Sequence, residues 1–407
     1  MLPDSHSQRQ RLILNMIHHL GPVSRTSLIE LTGYRPATVG EIVGELLEKG
    51  LVIESGTHSS GQGRKRVMLE IHAQKIWGMG ISFSSHHVSF ILSQFDGTIK
   101  DEFRLPRPDE PNKVSQVETI CHHAKTLLKK YPDIFFAGIG ICKPLVDPLH
   151  YRKHNNSGRD LREPWIQDLL ASKLEEVCKL PVQVFSSVTL PAQAEHQFGC
   201  ARDVDDFIWV ELSNGIGTSL FSGGHAVGGA DGTAGELGHM VIPTDQPARL
   251  CYCGKPGCVE ATAAWPALLA DIHAALDSNV ISSLRGHTQP LTVADIRQAL
   301  DNGDRMCLYY VQRAAKLLGT AIANSINLIN PRLIVLYGFM VELGDAFLQP
   351  LEQAMREGAV FTSDNFEIRI STTSERIMPL GAIANIFSTY LQADNYRWVY
   401  QLPRKGR

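Results

Sequence analysis

The sequence predicts an α/β protein: a winged helix-turn-helix at the front, then a larger part with mixed strands and helices in two lobes flanking a cleft. Three observations carry this. Residues 1–72 run helix, helix, helix, strand, loop, strand. From Ile76 onward, strand-like and helix-like segments alternate. Within that larger part, His239, Cys251, Cys253 and Cys258 have the types and spacing of one tetrahedral zinc set. At 407 residues the chain exceeds one ordinary core and suits two or three domains.

Leu12, Ile13, Met16, Ile17 and Leu20 share one face of a helix over Arg9–Leu20, which Gly21-Pro22 ends. Ser24 stands at an N-cap position, and Gly33 closes the short helix that follows. Pro36 opens a third helix at its first turn; Val39, Ile42, Val43, Leu46 and Leu47 lie at helical spacing, and Gly50 stops it. Leu51–Glu54 and Arg66–Ile71 are predicted strands, joined by a Gly- and Ser-rich stretch over 55–65. Such a module lays its third helix in the major groove. Base reading then falls to Tyr34, Arg35, Ala37, Thr38 and Glu41. The cations Arg64, Lys65 and Arg66 occupy the wing, where Arg64 suits a narrow minor groove. Thr38, Glu41, Gly44, Glu45 and Glu48 are expected on the solvent face of that helix. Carboxylates there repel phosphate, although a Glu accepts from cytosine N4.

In the larger part, Trp77–Ile81 and Val88–Leu92 are predicted paired strands, with a turn at Phe95–Thr98. Val114–Lys130 is a predicted helix, Ala137–Cys142 a strand, Trp165–Cys178 a helix and Val182–Phe185 a strand. Phe207–Leu212 and Ser219–Phe221 make a hairpin. Pro266–Ala275, Val293–Asn302 and Met306–Asn327 are helices, Leu333–Leu336 a buried strand, and Gly381–Leu391 the last helix. The expected domains are 1–72 and 73–407. The second divides into lobes of roughly 73–190 with the helix near 380–392, and roughly 191–379.

A net charge of −3 rules out a polyanion binder by bulk electrostatics, so any nucleic-acid contact comes from a local patch. Met1-Leu-Pro-Asp-Ser-His6 lacks the basic-then-apolar pattern of a signal segment. No apolar run approaches the ~20 residues that cross a membrane. A cytoplasmic protein without membrane insertion is expected. Cys121, Cys142, Cys178, Cys200 and Cys307 lie singly in apolar contexts, as reduced buried thiols do.

The run Cys251-Tyr-Cys-Gly-Lys-Pro-Gly-Cys-Val-Glu260 follows shortly after Gly235-Glu-Leu-Gly-His239. Gly254 and Gly257 let the chain bend so that Cys253 and Cys258 face one ion. Glu236 and Glu260 flank the ligands without being usual donors in such a set. A structural zinc, one per chain, is expected, with carboxylates beside it placed for another task. A zinc knuckle with no further role is the plainer alternative.

These two segments resemble the ROK family (repressors, open reading frames and sugar kinases). Gly138–Asp147 is similar to the family's Gly-x-x-x-x-Pro-Gly-x-Val-Asp segment, and Ala194-Glu195 with Phe198-Gly199 to the end of its Asn-Asp helix. Asn327–Leu336 is similar to a late strand of the family and Pro379–Ala384 to its C-terminal helix. The likeness covers essentially the whole chain and, with the winged front, is to the family's sugar-responsive repressors. It implies an actin-like, hexokinase-like pair of lobes behind the DNA-binding module. It also implies zinc on His239, Cys251, Cys253 and Cys258, and Glu236, His239 and Glu260 beside a sugar's hydroxyls. Asn155 and Asn156 complete the candidate ligand set.

The chain departs from the family's kinases at four places. Ser186 and Ser187 stand where the Asn-Asp pair belongs, and a serine hydroxyl is no base near neutral pH; no Asp lies between Asp168 and Asp203. Ser82-Phe-Ser-Ser-His86 replaces the first phosphate loop, whose glycines let phosphate approach. The second loop is half kept as Asn214-Gly-Ile-Gly-Thr218, and Leu145 replaces the glycine of the Pro-Gly segment. The expected protein is therefore no enzyme and has no catalytic residue. It is a repressor of carbohydrate-metabolism genes that binds operator DNA as a homodimer or homotetramer. It answers to a sugar or sugar derivative, or to a protein partner, through a shift that alters the spacing of two winged helices. The alternatives are an ATP-dependent sugar kinase with an appended DNA-binding domain and, from the acidic third helix, an interaction scaffold.

Overall fold

Capping residues and apolar spacing place the first elements. The structure, a computed structural model, describes residues 6–58, 66–84, 87–106, 113–142, 166–185, 189–230, 233–244, 247–360, 365–373 and 376–391. It opens with α1 (His6–Leu20), β1 (Val23–Ser24), α2 (Arg25–Thr32), α3 (Pro36–Glu48), β2 (Val52–His58) and β3 (Arg66–Ile71). Ser24 caps α2 by accepting from the Ser27 amide, and Gly33, at φ 67°, turns its amide back to the Ile29 carbonyl. The strands pair antiparallel in the order β1-β3-β2. Leu12, Ile13, Met16, Leu28, Val39, Ile42, Val43 and Leu46 are fully buried among these helices.

This module does not pack alone. Asn15 Nδ2 on α1 donates to the Leu391 carbonyl at 2.8 Å. The His18 ring meets Phe95 edge-on at 4.9 Å, and Phe95 lies 4.9 Å from Phe387. By internal packing the chain divides into two compact units. Met1–Pro144, Glu163–Ser186 and Met378–Arg407 form one, Leu145–Arg162 and Ser187–Ile377 the other.

In the first unit, β4 (Ile76–Phe83), β5 (His87–Gln94) and β6 (Ile99–Pro106) form an antiparallel meander. After α4 (Lys113–Lys129), β7 (Phe135–Cys142) joins β4 in parallel. A π-helical turn (Ile166–Ala171) runs into α5 (Ser172–Cys178), so the single helix predicted over Trp165–Cys178 is irregular at its start. β8 (Val182–Phe185) adds in parallel, giving the order β6-β5-β4-β7-β8.

The second unit begins with α6 (Leu190–Gln197), β9 (Phe207–Leu212), β10 (Ile216–Ser222) and β11 (His225–Ala226). Next come α7 (Val259–Ala263), α8 (Trp265–Asp277), α9 (Val293–Asp301) and α10 (Arg305–Ile329). The elements β12 (Leu333–Tyr337), α11 (Asp345–Gly358) and β13 (Glu367–Ile370) follow; α12 (Ile377–Leu391), the last described helix, belongs from Met378 on to the first unit, which leaves β13 as the last strand of the second. Its sheet order, β11-β10-β9-β12-β13, repeats the first: a meander whose first strand is joined by two parallel strands. Two α/β units with the same strand order make the actin-like, hexokinase-like fold. Each has its own core, one including Met79, Ile81, Phe90, Ile139 and Ile141, the other Ile208, Val210, Ile322, Ile334 and Leu336. Among the described residues, no helix is long and apolar enough to cross a membrane.

Candidate zinc and ligand site

The site hangs from the β9–β10 edge of the second unit. Gly235 has φ 94°, and a Cβ there would lie 2.6 Å from the Thr218 carbonyl, so only glycine admits this close pass over β10. The chain then makes a single 3₁₀ turn over Leu237–His239. Val241 bridges to Cys258 and Leu250 to Pro256, folding the cysteine loop back beneath His239.

One ligand atom from each of His239, Cys251, Cys253 and Cys258 lies within 4.8 Å of all the others. Cys253 Sγ is 3.6 Å from Cys258 Sγ, and Cys251 Sγ is 3.6 Å from His239 Nδ1. A tetrahedron with Zn–S of about 2.3 Å and Zn–N of about 2.0–2.1 Å has S···S and S···N edges of about 3.8 and 3.6 Å. A disulfide would need about 2.05 Å. The donor set thus fits zinc, and all eight cysteines are free of disulfides. Burial pushes the Cys258 thiol up to about 12 and raises Cys251 as well. At exposed Cys253 burial acts the same way but is outweighed, chiefly by the Lys255 amide, and its pKa falls. A cation is what lets such a set be thiolates together.

The other His239 nitrogen faces away from the cysteines. Nε2 lies 2.9 Å from the Tyr252 hydroxyl and 3.8 Å from an oxygen of exposed Glu236. Glu260, half-buried in the first turn of α7, accepts from the Ile216 amide at 2.8 Å. Burial raises its pKa, the Ile216 donation and His239 oppose this, and Glu236 adds to it. Glu236, His239 and Glu260 are therefore brought together. Asn155 and Asn156 lie outside the described residues, as do Ser186 and Ser187.

Two neighbours were not singled out from the sequence. Tyr252 stands between two of the cysteines, so any loop that gathers them carries it along; that spacing was the available signal. Glu211, next to last in β9, pairs with Gly217, where a Cβ would sit 3.4 Å from its carboxylate. Burial raises the Glu211 pKa; Ser213 opposes this and Glu260 adds to it.

On the first module, Arg35, Ala37 and Glu41 are exposed along α3, and Thr38 is half-buried. Arg66 is exposed where β3 begins; Arg64 and Lys65 lie outside the described residues. Two expectations are corrected. Glu45 is not on the outer face: it turns to α1, where His6 Nε2 and Gln10 Nε2 reach it at 3.0 and 2.8 Å, and the His6 bond foremost lowers its pKa. Tyr34 cannot read a base with its hydroxyl, which is buried, and its ring lies under the Arg9 guanidinium.

An α/β pair of repeated lobes carrying a Cys₃His site defines the class, and comparison with known proteins places the chain within it. The ROK family model matches residues 78–383, and the chain belongs to the ROK family. The xylose repressor of Bacillus subtilis (strain 168) is 28% identical over 389 residues, 94% of this chain and 95% of the relative. The crystal structure of a ROK family transcriptional regulator, a homolog of the Escherichia coli Mlc protein, aligns with TM-score 0.78 at 22% identity. It covers 98% of this chain and 99% of that one. A ROK hexokinase from Thermus thermophilus aligns with TM-score 0.60 at 24% identity, covering 75% of this chain and 97% of that one.

Proposed function

We infer that the chain is a ROK-type transcriptional repressor of carbohydrate genes that binds operator DNA through residues 1–72 and answers to a sugar or sugar derivative. The single observation that carries this is coverage. The named repressor and the regulator structure extend over nearly the whole chain, whereas the hexokinase is almost used up on three-quarters of it. The part beyond the 78–383 match is where the three-helix module lies. Exposed Arg35, Ala37 and Glu41 on α3 are the proposed base-reading residues, with Thr38 at their margin. Arg64, Lys65 and Arg66 are the proposed wing contacts. With Glu45 taken up by α1, the outer face of α3 is less acidic than its composition suggests, which weakens the scaffold alternative.

Phosphoryl transfer is proposed to be lost. At the β4–β5 turn the Ser84 amide donates to the His87 carbonyl, and the His87 amide to Ser84 Oγ at 3.0 Å. Those donors are spent within the turn instead of on a phosphate. In the second loop, Glu211 sets a carboxyl against Gly217 where a nucleotide would need cations or amides. Zinc, when bound, supplies a fixed charge that holds the cysteine loop and the His239 tautomer. The chain's own Glu236, His239 and Glu260 then offer two acceptors and one donor to vicinal hydroxyls. Asn155 and Asn156 are proposed to contact the same ligand.

The test is capture of genomic fragments by purified full-length protein, sequenced with and without a pooled sugar library. Discrete palindromic sites that are lost with sugar are the expected result. Absence of enriched sites, with ATP turnover on any sugar, would make the kinase reading the correct one.

A further inference from the structure

The His239 imidazole has a partner on each side. Nδ1 faces Cys251 Sγ at 3.6 Å, on the side where the four ligand atoms converge. With a cation held there, the one ring proton sits on Nε2, which makes Nε2 a donor with a single bond to give. That bond is already given: the Tyr252 hydroxyl lies 2.9 Å away, its ring edge-on to the imidazole with centroids 5.1 Å apart. Glu236 is farther from Nε2, at 3.8 Å, and is exposed. Tyr252 is half-buried and flanked in sequence by Cys251 and Cys253, so the loop that collects the metal ligands also fixes the phenol.

We propose that Tyr252 is a built-in occupant of the effector site, its hydroxyl holding the place on His239 Nε2 that a sugar hydroxyl must take. This rests on the reading of Glu236, His239 and Glu260 as a sugar site. An incoming hydroxyl that accepts from Nε2 has to displace the phenol, because one proton cannot serve two acceptors at full strength. The phenol therefore sets a threshold for the effector. A ligand rich in vicinal hydroxyls replaces the lost contact and adds bonds to Glu236 and Glu260. One with a single hydroxyl gains nothing over the tyrosine.

Tyr252→Phe keeps the ring and removes the competitor. The experiment uses zinc-loaded full-length protein, parent and Y252F, with two readouts. Proton NMR of the His239 Nε2–H in ligand-free protein is expected to show a slowly exchanging signal that exchanges at least tenfold faster in Y252F. Calorimetric titration with D-xylose, D-glucose and N-acetyl-D-glucosamine is expected to show about three- to tenfold tighter binding to Y252F, the worth of one neutral hydrogen bond. Equally fast exchange in both proteins overturns the Tyr252–His239 contact whatever the sugars do. Slow exchange in the parent, with equal or weaker sugar binding to Y252F, overturns the competition and leaves the sugar site standing. Slow exchange with no sugar bound by either protein removes the sugar reading, and the occupant role with it.

Discussion

At the scale of single residues, the proposed zinc site rests on four donors that are near neighbours in the chain. Removing one leaves three donors converging on an ion that wants four. Cys258 is the most severe choice, because it is buried and its strand-like bridge to Val241 closes the loop. Cys258→Ser is expected to abolish stoichiometric zinc in metal analysis of reduced protein. It should also destabilise the second unit by about 3 kcal/mol or more, at the upper end for one substitution, read as a lowered melting temperature. The ligand set was legible in the sequence because Cys-x-Cys-Gly-x-x-Gly-Cys is a local pattern that needs no knowledge of the fold. Glu211 was not, since its proximity to Gly217 comes from strand register. The two corrections on the first module are likewise matters of packing: Glu45 turns to α1 and Tyr34, just ahead of α3, lies under Arg9, and spacing in the sequence specifies neither.

At the scale of elements, two contacts can be tested by one atom each. A Cβ on Gly80 of β4 would stand 2.2 Å from the Pro379 carbonyl, and backbone cannot move aside as a side chain does. Gly80→Ala should cost about 2 kcal/mol or more in denaturant unfolding, through overpacking of α12 on the first sheet. Asp304 caps α10 by accepting from the Cys307 amide, and it also takes bonds from Ser282 and Ser283. Burial opposes its ionised form, but those donors win, the Cys307 amide foremost, and its pKa is lowered. A lowered folded pKa means the stabilisation is present above the ordinary 3.8 and is lost as pH falls through the folded value. Asp304→Ala is expected to cost about 1–2 kcal/mol at pH 7, and the gap in melting temperature to the parent should close as pH drops below 3.8. The elements missed in the sequence have physical reasons. β6 is an edge strand carrying Lys100, Asp101, Glu102 and Arg104, so it lacks the apolar signature of a strand. α11 holds Pro350 in its interior, a residue that ordinarily interrupts a helix. β13 is only four residues long.

At the scale of the whole molecule, the repeated strand order was hidden for another reason. What repeats is a pattern of hydrogen bonding, and Ile76–Phe83 and Phe207–Leu212 fill equivalent places without sharing a sequence. The result is two units with separate cores, and the proposed functions divide between them. The proposed zinc ligands and the carboxylates beside them belong to the second unit; α1, α2 and α3 belong to the first, tied there through Asn15 and Leu391. A change confined to the metal loop removes none of the buried contacts among Leu12, Ile13, Val39, Ile42 and Leu46 that hold α3 in place. Affinity for operator DNA should therefore survive loss of zinc, while the response to sugar should not, because His239 loses its fixed tautomer and Glu260 its oriented neighbour. In gel-shift titrations on a captured operator, Cys258→Ser is expected to bind within about threefold of the parent, well under 1.4 kcal/mol, yet to show no release by a sugar that releases the parent. Loss of DNA binding in a variant whose first unit still unfolds cooperatively would mean that the metal loop helps to place the DNA-reading helices, and that the two functions are one.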